Sequence, residues 1–238
     1  MKVFLIGYGR MGKEVHEVLK SRNHDVIKII DQDNLDELDN LDPNQIDIAI
    51  EFTQPDVAFD NISKCLSQKV PAVTGTTGCN EKLNIATQIC NENDTAFLYA
   101  SNFSIGVNLL FAMNEKLAQL MDNQTQYKAE ITETHHIHKK DKPSGTAVTL
   151  AEQVVDGISR YKKFELNGNV EDILPVHAIR EGEVFGDHEI TYKSEVDELK
   201  LSHSAKSRKG FALGAVLAAE FIHSRKGVFT MKDVLKIN

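Results

Sequence analysis

A chain of 238 residues, 41% of them hydrophobic, is long enough for one large or two modest domains with real cores. Its formal charge of -8 argues against a nucleic-acid binder, which needs a basic stripe, and its lysine clusters are short, so any anion it binds is expected to be small. The apolar run from Met1 to Ile6 is too short for a secretory segment, nothing approaches transmembrane length, and Cys65, Cys79 and Cys90 form no CxxC pair, which suits a reducing cytoplasm.

From Lys2 to about Ala100, short apolar runs alternate with helical patterns. Val3 to Ile6, Val26 to Ile30, Ile46 to Phe52, Val70 to Val73 and Ala96 to Ala100 read as strands with helices between most of them, which predicts a Rossmann-type doubly wound parallel sheet. Gly7-Tyr8-Gly9-Arg10-Met11-Gly12 follows the first strand and opens a helix with Val15, Val18 and Leu19 on one face. Such glycines permit a tight turn and close approach to a pyrophosphate, while free helix N–H groups hold its charge; an ordinary glycine turn is the alternative. Asp31 ends the next strand, where an acid accepts hydrogen bonds from an adenosine ribose, and this context favours a dinucleotide. No lysine or arginine stands between Lys28 and Lys64, so the loop after Asp31 offers a 2'-phosphate no cation. NADH is therefore favoured, while Arg10 on the glycine loop keeps NADPH open. Gly75, Thr76 and Thr77 follow one strand, and Tyr99, Ala100, Ser101 and Asn102 follow another. Both groups lie at carboxyl ends of strands, where ligands bind in open parallel sheets, so they are expected to line the cofactor site rather than serve as routine turns. The cysteines are assigned no chemistry.

A second style begins after the helical stretch Ile105 to Met121. Tyr127 to His135, His188 to Glu195 and Glu198 to Ala205 are longer alternating strands that predict a second, smaller α+β domain with a mixed sheet. Between a strand ending at His135 and a helix running through Leu150 and Val154 stands the densest chemistry of the chain, Glu133-Thr134-His135-His136-Ile137-His138-Lys139-Lys140-Asp141-Lys142-Pro143-Ser144-Gly145-Thr146-Ala147. His135 and His136 can exchange protons near neutral pH, and Lys139 can donate one. Ser144 is placed to cap the helix, with Gly145 and Thr146 presenting first-turn N–H groups and a hydroxyl to a carboxylate. Solvated lysines, structural histidines and an ordinary cap are the plain alternatives, and the clustering weighs against them. A zinc set of His135, His136 and His138 is disfavoured, because on an extended segment His135 points away from the other two and no cysteine lies nearby. Lys206-Ser207-Arg208-Lys209 precedes an amphipathic helix from Phe211 to His223; cations there oppose the helix dipole, which makes Arg208 a candidate for a second carboxylate, with solvent screening as the alternative. Val228 to Leu235 is a short finishing element whose packing partner the pattern does not name.

These residues carry a resemblance. The segment Glu133 to Ala147 resembles the signature of the 4-hydroxy-tetrahydrodipicolinate reductase (dihydrodipicolinate reductase) family, and the similarity extends to the glycine loop, Glu51-Phe52-Thr53, Gly75 to Gly78, Asn102 to Asn108, Ile179 to Gly182, His203 to Arg208, Phe211 to Ala215 and Met231 to Leu235. The glycine loop is one residue shorter than the family's usual form, and the segment from Gln32 to Gln45 is abbreviated. The resemblance implies a dinucleotide-binding domain of residues 1–104 and 208–238, completed by the C-terminal helix, and a domain of residues 105–207 that binds substrate and builds a homotetramer. It implies hydride transfer from NADH or NADPH to a cyclic imine dicarboxylate formed by loss of water, as a cytoplasmic step in lysine and diaminopimelate synthesis. His135 would then be proton donor and acceptor, Lys139 proton donor, and His136, Gly145 and Thr146 substrate contacts. Two rivals stand beside this reading: an amino-acid or semialdehyde dehydrogenase on a similar plan, and a non-catalytic NAD(H)-sensing protein.

Overall fold

Successive residues of the N-terminal strands alternate between two apolar layers, as a parallel sheet covered on both faces demands. In the computed structural model, which describes residues 1–78 and 82–237, Val3 and Leu5 of β1 (Lys2–Ile6) enter one layer and Ile6 the other. β3 (Ile48–Glu51) divides Ile48 and Ile50 from Ala49 in the same way, and β5 (Ala96–Tyr99) divides Ala96 and Leu98 from Phe97. With β2 (Asp25–Ile30), β4 (Ala72–Thr74) and β11 (Gly227–Phe229) they make a six-stranded parallel sheet in the order β11-β5-β4-β3-β1-β2. Helices α1 (Arg10–Ser21) and α6 (Lys209–Ile222) cover one face, while α2 (Pro55–Ser67) and α3 (Leu83–Glu92) cover the other. Strand order reverses between β1 and β3, the switch point beside which such sheets bind ligands. Burial raises the thiols of Cys65 and Cys90 to about 12 and about 11, so both are inert packing groups. Cys79 lies outside the described residues.

The chain divides into two compact units, Met1–Ile105 with the chain from Arg208 onward, and Gly106–Ser207. The second unit holds a five-stranded mixed sheet of β6 (Lys128–His135), β7 (Lys163–Leu166), β8 (Ile173–Arg180), β9 (Asp187–Lys193) and β10 (Glu198–Ser204), ordered β10-β9-β6-β8-β7. Its core packs Leu110 and Ala118 of α4 (Ile105–Met121) and Leu150, Ala151 and Val154 of α5 (Gly145–Gly157) with Ile131, Val176, Ile190 and Tyr192. The residues alternating with these strand positions are polar and more open: Glu130, Lys200 and Ser202 are exposed and Thr132 and Thr134 are half-buried.

The parallel sheet, its switch point and the mixed second sheet agree with the fold class expected from the pattern. Local differences have physical causes. The expected strand from Ile46 is paired only over Ile48–Glu51, and Val70 falls in the turn where Lys69 takes φ +63°. The segment after β2 forms a 3-10 helix, Gln32–Asp39, whose N-cap is Asp31. Asp31 thus lies one residue beyond the strand it was expected to end. β7 and β8 were not expected, because Pro175 within β8 argues against a strand with a neighbour on each side. The finishing element resolves into β11, which extends the parallel sheet beside β5, and a short helix α7 (Met231–Leu235) capped by Thr230 and Asp233.

Candidate active site

The loops at the carboxyl ends of β1, β3 and β4 enclose a cleft of about 470 Å³ in the first unit, walled by Gly9, Arg10, Met11, Phe52, Thr53, Gly75, Thr76 and Thr77 among others. Its glycines are required by contact. Gly7 sits at φ +90°, and a Cβ at Gly12 would lie 2.0 Å from the Gly7 carbonyl oxygen. A Cβ at Gly9 would meet nothing within 4 Å, so that position stays open to a ligand, and with no side chain to cap α1 the first-turn N–H groups remain available. These features fit a dinucleotide pyrophosphate. Glu51, buried at the end of β3, gathers the hydroxyls of Thr53, Thr74 and Thr76 and the backbone N–H of Thr53, which ties the β3 and β4 loops together. Tyr99 ends β5, and Ala100, Ser101 and Asn102 follow it at the same edge; none of the four is among the residues that wall this cleft. The Asp31 carboxylate accepts from the Gln32 N–H at 2.9 Å, so the candidate ribose acceptor already serves as a cap.

In the second unit the histidine-lysine run forms the turn between β6 and α5. Glu133 and His135, two apart on a strand, share its inner face, where Glu133 is fully buried and His135 8% exposed. His135 Nδ1 lies 2.6 Å from Glu133 Oε2. Arg180 Nη2 donates to Glu133 Oε1 at 2.9 Å, and the Ser144 N–H donates to the same oxygen at 3.1 Å. Burial pushes the Glu133 carboxyl up, but His135, Ser144 and Arg180 together hold it at about 2, as a permanent anion near neutral pH. Lys139 Nζ pairs with Asp141 Oδ1 at 2.9 Å, and the Lys139 carbonyl accepts from Arg180 Nε at 3.2 Å. His136 donates its backbone N–H to the Val184 carbonyl, and its buried Nδ1 has no hydrogen-bond partner among the described residues. Ser144 is the N-cap of α5, its Oγ accepting from the Ala147 N–H at 3.2 Å; a Cβ at Gly145 would meet nothing within 4 Å, leaving that first turn open. This unit therefore gathers an imidazole, an ammonium and a helix N-terminus within one short stretch of chain. Arg208 belongs to the first unit, at the N-cap of α6.

Glu133, His135 and His188 place ligand atoms within 4.8 Å of one another; Arg180 and the Ser144 N–H both engage Oε1 of the carboxylate, and Oε2 faces His135 Nδ1. Glu133, Arg180 and His188 were not among the expected site residues. Glu133 was visible in the period-2 pattern, whereas Arg180 arrives through the β6–β8 register that pairs His135 with Arg180.

Two family models match nearly the whole chain: "Dihydrodipicolinate reductase, N-terminus" over residues 1–103 and "Dihydrodipicolinate reductase, C-terminus" over residues 106–235. The chain belongs to the dihydrodipicolinate reductase family. Among members of this family, the 4-hydroxy-tetrahydrodipicolinate reductase of Christiangramia forsetii is 47% identical over 99% of this chain and 98% of its own, and that of Thermosipho africanus is 35% identical over 99% and 98%. A solved structure, the dipicolinate-bound dihydrodipicolinate reductase from Paenisporosarcina sp. TG-14, superimposes with a TM-score of 0.74 at 24% identity, covering 97% of each chain, and supports the dihydrodipicolinate reductase fold.

His188 adds a pH dependence to this family member. Its buried ring stands edge-on to His135 at 5.1 Å, with Nε2 3.3 Å from Ser144 Oγ. Burial, and then the charge of His135, lower its pKa from 6.5 to about 4, so the native form is neutral. A lowered histidine pKa gives stability that is present above pH 6.5 and lost as pH falls toward 4, at most about 3 kcal/mol. Urea unfolding at pH 7 and pH 4 should show wild type losing more stability than His188→Gln by about that amount; equal losses would mean that His188 protonates in the native state without penalty.

Proposed function

We propose that this protein reduces 4-hydroxy-tetrahydrodipicolinate to tetrahydrodipicolinate with NAD(P)H and loss of water, in lysine and diaminopimelate synthesis. The observation that carries the proposal is the single turn of the second unit that holds His135, Lys139 and the open N-terminus of α5 in a chain of this family. The dinucleotide, when bound, supplies the hydride. His135 exchanges a proton with the substrate, the Lys139 ammonium donates one, and His136, Ser144, Gly145 and Thr146 hold a substrate carboxylate through the helix N-terminus. Arg208 is the candidate for the second carboxylate. Residues 1–104 and 208–238 serve the dinucleotide and residues 105–207 the substrate. The open polar face of the mixed sheet is the surface we assign to homotetramer assembly; light scattering should return about four times the 26.6 kDa chain mass, and a monomer would refute it.

Pyridine-2,6-dicarboxylate, a planar mimic of the ring, tests the substrate class. It should bind the protein and compete with substrate; absence of binding in the presence of bound dinucleotide would favour an NAD(H) sensor or a dehydrogenase of another class.

For the cofactor the reading favours NADH, on the cation-free stretch between Lys28 and Lys64 and on Asp31, with NADPH retained because Arg10 walls the cleft. Asp31→Ala should weaken NADH by roughly 10-fold and NADPH less, since a hydrogen bond to a charged group contributes about 1.5 kcal/mol or more. Calorimetric titration of both dinucleotides decides it: equal losses would assign Asp31 only to capping the 3-10 helix. Placement in the cytoplasm fits the buried, unpaired Cys65 and Cys90, and no helix among the described residues is long and apolar enough to cross a membrane.

A further inference from the structure

Three parts of the candidate active site converge on one carboxylate. Glu133 touches the His135 imidazole through Oε2 at 2.6 Å and the N-cap of α5 through Oε1 and the Ser144 N–H at 3.1 Å. It reaches the Lys139 turn through Arg180, which donates to Glu133 at 2.9 Å and to the Lys139 carbonyl at 3.2 Å. A group serving only the core would have no reason to join these three.

We infer that Glu133 is a positioning residue that fixes the tautomer of His135, so that neutral His135 carries its hydrogen on Nδ1 and keeps Nε2 as the atom that exchanges the proton of the reaction. The inference rests on the reading of His135 as the proton-transfer residue. A carboxylate offers acceptors only, so a ring nitrogen 2.6 Å away has to bring the hydrogen. Among the described residues neither Glu133 Oε2 nor His135 Nδ1 has another partner, and both are buried. The opposite tautomer would set two lone pairs against each other out of reach of water, a heavily penalised arrangement. Arg180 keeps the carboxylate anionic and therefore an acceptor. Gly186 keeps the other side of the ring clear: it adopts φ +149°, and a Cβ there would lie 3.0 Å from Nε2 and 3.3 Å from Cδ2 of His135. Orientation at Nδ1 and space at Nε2 are thus set by different residues, and both serve the same atom.

The test is nitrogen-15 imidazole spectroscopy of the full chain, with His135→Asn used to assign the His135 signals. At a pH where the ring is neutral, wild type should show hydrogen on Nδ1 and a bare Nε2. In Glu133→Gln the amide oxygen stays with Arg180 and Ser144 while its NH₂ faces Nδ1, so the hydrogen should move to Nε2. In that variant kcat should fall about 10²- to 10⁴-fold while the KM for NADH changes less than about threefold. Wild-type His135 found with its hydrogen on Nε2 would overturn the inference without any variant, so misfolding of Glu133→Gln leaves the test intact. Lost turnover with an unreversed tautomer would also overturn it and leave the reading of His135 standing. A reversed tautomer with unchanged kcat would instead remove His135 from proton transfer and fell the inference together with that reading.

Discussion

Replacing His135 with glutamine, or Lys139 with alanine, is expected to lower kcat about 10²- to 10⁴-fold while NADH binds within about threefold of the wild-type affinity. The reasons differ. Glutamine fills the space of the imidazole but cannot take up and release a proton, so the step that uses Nε2 is lost and the rest of the turn remains. Lys139→Ala removes the ammonium paired to Asp141 at 2.9 Å but leaves the backbone of the turn, which Arg180 holds through the Lys139 carbonyl. Neither side chain belongs to the unit that carries the glycine loop, so dinucleotide affinity should survive both changes. Steady-state kinetics paired with dinucleotide titration reads both quantities. Near-normal turnover in both variants would dismiss these residues as the proton-transfer groups. A loss confined to KM would make them binding residues only.

The largest stability effect is expected from Gly214→Ala. Gly214 lies in α6, where that helix packs onto the chain after β5, and a Cβ there would stand 1.7 Å from the carbonyl oxygen of Phe103 and 2.8 Å from its carbonyl carbon. Both neighbours are backbone, so relief requires moving α6 or the segment after β5, at a cost of about 3 kcal/mol or more. Gly210, in the first turn of the same helix, is the internal control: a Cβ there meets nothing within 4 Å, and Gly210→Ala should stabilise by about 0.5 kcal/mol or more because alanine restricts the unfolded chain. Urea denaturation of the two variants should move in opposite directions. Gly214→Ala as stable as Gly210→Ala would show that α6 does not press on Phe103 as described.

Much of this was legible along the chain, and the exceptions share a cause. The strand-turn-helix around the glycine loop, the helix Ile105–Met121 and the capped start of α5 depend on neighbours a few residues apart, and periodicity together with capping chemistry reports such neighbours. Glu133 was readable by the same rule, since residues two apart on a strand share a face, yet beside three imidazoles and three ammonium groups it drew no role. Asp31 carries a second, local signal that the reading of the strand end left out: with Asn34 it is a capping pair for the 3-10 helix. Arg180 and His188 could not be placed from the sequence. Each reaches the site through sheet register, β8 pairing beside β6 and β9 on its other side, and such pairings leave no local pattern. The interior of β8 was further disguised by Pro175, which the strand accommodates.

The reaction itself is tested most directly by absorbance at 340 nm. Substrate is generated in place from pyruvate and aspartate semialdehyde by the synthase reaction that forms it, and NADH and NADPH are supplied in separate assays. A loss of absorbance that depends on substrate is expected, with NADH the better donor. Demonstrated binding of dinucleotide without substrate-dependent oxidation of either would contradict it.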